Sequence, residues 1–239
     1  MNIQTTTPLR RLLACLLATA VMSGAALAQE PAAQDIIQGM QDTLDGTAGA
    51  TFLVTGELLG GDGTVYQLEI EVEAMPAEQL IRLFILQPDA LADNIIIVTQ
   101  EALYNYNYLT NQIVVYDADD PQAYGPLGGG GDGGSFELTL DLAQLFSGWD
   151  SRVAGNADTP AGQALRLELS NRDPEANIAA ASVLATQDNW FPQEITLFTR
   201  SGATMLRIEL QDVDLEPGLS ADDLLWYPPD AELIDDRSN

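Results

Sequence analysis

The hydrophobic pattern of the chain changes period after Gly49. From Gln34 to Leu44 the apolar residues Ile36, Ile37, Met40 and Leu44 recur at helical spacing, and Gly46 and Gly49 follow as stop signals, which predicts one amphipathic helix. Beyond it the alternation is of period two. Strands are predicted over Thr51 to Leu59 and Val65 to Ala74, joined by a Gly60-Gly61-Asp62-Gly63 turn. The second strand sets Tyr66, Leu68, Ile70 and Val72 on one face against Gln67, Glu69, Glu71 and Glu73 on the other. Gln79 to Leu86 follows, and then a meander of Asn94 to Thr99, Leu103 to Leu109 and Gln112 to Asp117. Further strands are expected near Arg152 to Ala154, Ala164 to Ser170 and Ser182 to Thr186.

The stretch from Trp190 to Asp230 has the sharpest logic. Ile195 to Arg200 and Ala203 to Leu210 alternate apolar and polar residues around Ser201-Gly202, a pair suited to a tight turn. That loop would set Ile195 opposite Ile208, Leu197 opposite Leu206 and Phe198 opposite Met205. Both faces of the hairpin are partly apolar, so something besides water should cover each of them. Leu224 to Tyr227 reads as a last short strand, ended by Pro228-Pro229.

Two segments fall outside this pattern. Residues 1–28 carry Arg10 and Arg11, an apolar run from Leu12 to Val21 and Ala26-Leu27-Ala28, the order of a signal peptide cut ahead of Gln29. Cys15 lies too early in that run to be a lipid-attachment site, so the mature chain is expected to be free of cysteine and stabilised by packing. Residues 29–239 are expected to form a single domain. Within them, 117–135 reads as a mobile loop with Pro121, Pro126 and a glycine run from Gly128 to Gly134. After it, Asp141 can cap a short helix over Leu142 to Phe146.

Charge and composition narrow the chemistry. Nine arginines less the two in the leader leave 7 against 36 acids, a formal charge of 7 − 36 = −29, with no lysine and no histidine. Nucleic acid and anionic membrane surfaces are unsuited to such a partner, since both need basic patches. Without histidine, lysine or a mature cysteine there is no histidine-based triad, no thiol nucleophile and no nitrogen or sulfur ligand for a metal. A pair of carboxylates of the glycosidase kind stays open. No catalytic residue, metal or cofactor is expected, and the chain reads as a non-enzyme. Arg82, alone among apolar neighbours, is either a cross-strand partner of a carboxylate or an anchor for a lid or ligand. Tyr104, Tyr106 and Tyr108 share one strand face, as sheet packing or as the lining of a sugar or lipid site.

The order of elements, together with Trp190-Phe191-Pro192-Gln193-Glu194-Ile195, the Leu206 to Leu210 strand and Asp222-Asp223-Leu224-Leu225-Trp226-Tyr227-Pro228-Pro229, resembles the LolA/LolB-like lipoprotein-carrier family. The resemblance implies a mainly β fold with few helices. Its core would be an open antiparallel half-barrel, covered by the N-terminal helix and a short lid helix, whose concave apolar face holds acyl chains. It also implies a soluble, monomeric periplasmic carrier that takes up lipids or lipoproteins and meets envelope membrane proteins that load or accept the cargo. Envelope-stress sensors that use the same fold to bind a protein partner are the alternative. The family's arginine on the first helix has no match in Gln34 to Leu44. On this chain the candidate lining is Leu68, Ile70, Val72, Ile195, Leu197, Leu206 and Ile208, with Ile37 and Met40 on the covering helix. An underfilled face would let water reach a glutamate at position 197, so Leu197→Glu should abolish fatty-acid binding at modest cost in stability.

Overall fold

The computed structural model describes residues 31–60, 63–118, 120 and 142–237. The leader and the glycine run of the 117–135 loop lie outside the described residues. The amphipathic helix is α1, Ala33–Asp45, one residue longer at each end than its apolar spacing suggested. Its N-cap position is Ala32, which offers no side-chain acceptor, so the helix depends on its buried stripe of Ile36, Ile37, Met40 and Leu44. The strands are β1 (Ala50–Leu59), β2 (Val65–Met75), β3 (Leu80–Gln87), β4 (Ile95–Val98), β5 (Ala102–Asn107), β6 (Gln112–Asp117), β7 (Asp150–Thr159), β8 (Gly162–Ser170), β9 (Ile178–Thr186), β10 (Pro192–Thr199), β11 (Thr204–Asp214) and β12 (Glu232–Asp235). The described residues also form two four-residue helices, α2 (Leu142–Leu145) and α3 (Ala221–Leu224), and two short 3-10 turns at Pro76–Glu78 and Asp89–Leu91.

All twelve strands join one open sheet in the order β12-β6-β5-β4-β3-β2-β1-β11-β10-β9-β8-β7. Neighbours pair antiparallel except β12, which runs parallel to β6. The meander from β2 to β6 and the run from β7 to β11 each pair in sequence order. Among the described strands only β1, hydrogen-bonded to β2 on one side and β11 on the other, joins the two halves of the sheet.

The faces follow from register. Ile70 pairs with both Val54 and Ile85, Val72 with Phe52 and Leu83, and Leu83 with Ile96, so these side chains share one face. They cluster with Ile36, Ile37 and Met40, which places α1 over that face. The opposite face of the sheet, from the end of β2 to β6, carries a second cluster of Met75, Leu80, Ile95, Ile97, Tyr106, Ile113 and Val115. Leu224 and Tyr227 of the segment after β11 cover it, and Tyr227 stacks on Tyr104 at 6.4 Å between ring centroids.

Three expectations are corrected here. Leu224 to Tyr227 is not a strand. Ser220 accepts a hydrogen bond from the Asp223 amide, Asp222 and Asp223 lie in the first turn, and Leu224 is fully buried as the end of α3. Nor is that stretch the last element, since the chain turns at Pro228-Pro229 and adds β12 to the edge of β6. In the β10–β11 hairpin, the Gly202 amide donates to the Thr199 carbonyl and the Thr199 amide to the Ala203 carbonyl, with Gly202 at φ 82°. The loop is therefore longer than two residues, with a bulge beyond it, and Phe198 meets Thr204 instead of Met205. The pairs Ile195–Ile208 and Leu197–Leu206 are as expected because the bulge falls between them and the turn.

The outer cluster also resolves Arg82 and the tyrosines. Arg82 is paired in register with Glu73 and forms an ion pair with it at 3.3 Å, while its guanidinium lies 5.9 Å from the Trp226 ring centroid. Tyr106 is buried and Tyr104 covered by Tyr227, so two of the three tyrosines pack under the C-terminal segment. Leu224 is the apolar peg of that segment. Leu224→Ala should destabilise the protein by about 2–5 kcal/mol, the usual range for a fully buried leucine. Urea unfolding measures this, and a change near zero would mean that α3 is not docked.

Candidate functional site

The candidate site is assembled from strands that are remote in sequence. β1 lies between β2 and β11, and its Gly56 is the register partner of both Leu68 and Ile208. Leu58 likewise faces Leu206 on one side and Tyr66 on the other. β10 continues the row, with Ile195 beside Ile208 and Leu197 beside Leu206. All seven expected lining residues therefore lie on one face, the face that α1 covers, and all seven belong to or pack against the cluster containing Ile37 and Met40. Leu68, Ile70, Val72, Leu197 and Leu206 are buried, whereas Ile195 and Ile208 are partly exposed.

The strand over Thr51 to Leu59 is present as β1, but the expected lining did not include its residues. Phe52, Val54 and Leu58 of β1 extend the face, and their signal was the period-two alternation over Thr51 to Leu59. Phe191, between β9 and β10, is almost completely buried and meets Phe52 edge to face at 5.9 Å. These residues close the face at the end where α1 lies. At the other end Tyr66, 38 % exposed, and partly exposed Leu58 share a rung with buried Leu206 and Leu197, and one rung closer to α1 buried Leu68 lies level with partly exposed Ile208 and Ile195. The apolar face is thus buried over most of its length and open in patches at Tyr66 and Leu58 and at Ile208 and Ile195.

Few polar contacts hold α1 in place. The Thr43 hydroxyl donates to the Asn189 carbonyl, Gln34 Nε2 donates to Ser151 Oγ at 2.9 Å, and the Leu142 amide donates to Gln41 Oε1 at 2.9 Å. Trp190 packs so closely on Gly39 that a Cβ there would come within 2.5 Å of its Cδ1. On this side a cleft of about 530 Å³ is lined by Asp35, Gln38, Asp42, Thr43, Asp188 and Trp190. None of the seven expected lining residues borders it, and its polar walls are unsuited to an acyl chain. Among the described residues no group of three or more Asp, Glu, His or Cys is placed to hold a metal ion. Among them, too, no helix is long and apolar enough to cross a membrane.

No protein-family model matches the chain, and no curated protein matches it. Solved structures do. An uncharacterized conserved protein from Thermus thermophilus is similar over 85 % of this chain and 98 % of its own, with a TM-score of 0.61 at 21 % identity. MucB is similar over 84 % of this chain, which spans 65 % of the MucB chain, with a TM-score of 0.53 at 14 % identity. A LolA superfamily protein from Nitrosomonas europaea overlays 82 % of this chain and 98 % of its own with a TM-score of 0.40 at 14 % identity. The architecture, mainly β with few helices and an open, almost wholly antiparallel sheet with α1 over one face, is the fold class expected from the sequence. The Thermus protein and MucB share it over more than four fifths of this chain.

Proposed function

We propose that the protein is a periplasmic carrier that binds acyl chains of lipids or lipoproteins on the face beneath α1 and carries them toward the outer membrane. The observation that supports this reading is the apolar face across β2, β1, β11 and β10, covered by α1 and left partly exposed at Tyr66, Leu58, Ile195 and Ile208. A sheet face of this size is ordinarily either packed over its full length or polar where it meets solvent. Here the exposed positions stay apolar, which suits contact with an acyl chain. The leader supports export, and the strongly acidic mature chain suits a carrier that is not retained on anionic membrane surfaces.

Two measurements test it. Organic extraction of the folded protein followed by mass spectrometry should yield acyl chains in stoichiometric amount. Ile208→Glu places a charge at a partly exposed position of the face and should weaken binding of a fluorescent fatty acid by at least about tenfold, roughly the transfer free energy of one aliphatic side chain. Because Ile208 is partly exposed, the melting temperature should fall only slightly. An empty extract together with unchanged binding by the variant would end the carrier reading.

A further inference from the structure

The two ends of the sheet are protected unequally. At the β7 edge the ladder is interrupted by a bulge between Val153 and Gly155, Arg152 and Asp150 are held in ion pairs with Glu168 and Arg172, and Gln34 of α1 reaches Ser151. Bulges and charges of this kind are the usual means of blunting a free strand edge. The β12 edge has no bulge in its ladder, no lysine and no proline. All four of its residues are exposed, Leu233 at 54 % and Ile234 at 37 %. Tyr108 and Leu109, at 55 % and 82 %, stand in the adjoining turn, which is tied to β12 by the Glu232 amide donating to the Asn111 carbonyl. Half of the eight large apolar side chains left exposed among the described residues therefore gather at this corner.

The backbone there is directed outward in a defined way. The amides of Glu232 and Asp236 donate to the Asn111 and Val115 carbonyls, both at 2.9 Å, so the even-numbered amides face β6. By the alternation of a strand, the Leu233 and Asp235 amides face the open edge. Among the described residues Asp230, Glu232, Asp235 and Asp236 lie around it, and the cation there, Arg237, is bound to Asp235 and holds that carboxyl down to about 2.

We propose that the open edge of β12 is a strand-addition site for an extended segment of a partner protein that sets two apolar residues between two basic ones. The pattern is the complement of Glu232-Leu233-Ile234-Asp235. Leu233 and Ile234 point to opposite faces and each takes an apolar neighbour, while the flanking carboxylates take the basic residues. A second copy of this chain is a poor occupant, because it would bring the same four carboxylates against these and a formal charge of −29 (7 − 36) against its equal. The site is separate from the face beneath α1 and does not depend on it.

The test uses a dye-labelled peptide built around the run lysine-valine-valine-lysine, read by fluorescence anisotropy at low salt. It should bind, and binding should slow amide exchange at Leu233 and Asp235. A peptide with both valines replaced by proline keeps the charge but cannot complete a ladder, and should bind at least about tenfold more weakly. Leu233→Pro removes an amide that faces away from β6, so it should leave the fold intact and weaken binding of the valine peptide by a similar factor. Equal binding of the valine and proline peptides would reduce the effect to bulk charge and overturn the proposal without reference to any variant. So would an absence of peptide binding, or a concentration-dependent dimer that Leu233→Pro dissolves.

Discussion

Leu197→Glu is expected to lower the melting temperature at pH 7 by about 10–20 °C, roughly 5 kcal/mol at 2–4 °C per kcal/mol for a domain of this size. Leu197 is 2 % exposed, paired in register with Leu206 and Ala181, and enclosed in the cluster beneath α1. The substitution removes one buried leucine, roughly 2 kcal/mol of apolar transfer, and adds a carboxyl with no partner. A buried glutamate shifts its pKa upward, to about 8 in documented cases, and holding it at pH 7 against an unfolded value near 4.3 costs roughly 3–4 kcal/mol. The sign of the pH dependence follows. Both states are protonated below pH 4, so the charge-related loss is absent there and grows as pH rises above the unfolded pKa. Thermal melts at pH 4 and pH 7 check this, and a variant as stable as the wild type at pH 7 would mean that water already reaches position 197. The expectation of a mild effect, drawn from an underfilled face, does not suit Leu197, which is buried together with its register partner Leu206 while the open positions are Tyr66, Leu58, Ile195 and Ile208.

That difference marks where the chain could be read in advance. Period-two stripes gave β2 and the hairpin, and with them the common face of Leu68, Ile70, Val72, Ile195, Leu197, Leu206 and Ile208, because side-chain alternation is a local property that tertiary packing rarely reverses. How deeply each position is covered is not local. The closure at Phe52 and Phe191, and its absence at Tyr66, depend on where α1 comes to rest. The C-terminal segment was misread for a similar reason. Leu224 to Tyr227 is short and apolar, which fits a strand or a helix end equally, and the deciding signal was the Ser220 cap with Asp222 and Asp223 behind it. β12 is four exposed residues whose pairing with β6 is parallel and distant in sequence, so nothing in its own pattern announced a sheet. The role of β1 as the sole join between the halves was equally hidden, since pairing between Ala50–Leu59 and Thr204–Asp214 spans most of the chain.

The join rests on one residue in particular. Gly56→Ala should destabilise the protein by about 3–5 kcal/mol, more than is usual for adding a single methyl group to a strand. A Cβ at Gly56 would come within 2.0 Å of the Arg207 carbonyl oxygen and 2.9 Å of Ile208 Cα, and both belong to the backbone of β11. A flexible side chain could swing aside, but a strand backbone can yield only by opening the ladder on either side, at Thr55–Glu209 and Glu57–Arg207. Each lost hydrogen bond removes roughly 1 kcal/mol, added to the usual 1–3 kcal/mol of overpacking. Since β1 alone connects the two halves of the sheet, the opening also separates Leu68 from Ile208, and fatty-acid binding should weaken together with stability. Gly202→Ala provides the comparison. It adds the same methyl group where nothing lies within 4 Å but where φ is 82°, so it should lose only the roughly 1–2 kcal/mol of a left-handed alanine and leave binding intact. Chemical unfolding of both variants, with amide exchange at Thr55 and Glu57, separates the two effects. Equal losses in the two proteins would show that β1 and β11 do not need the close approach at Gly56.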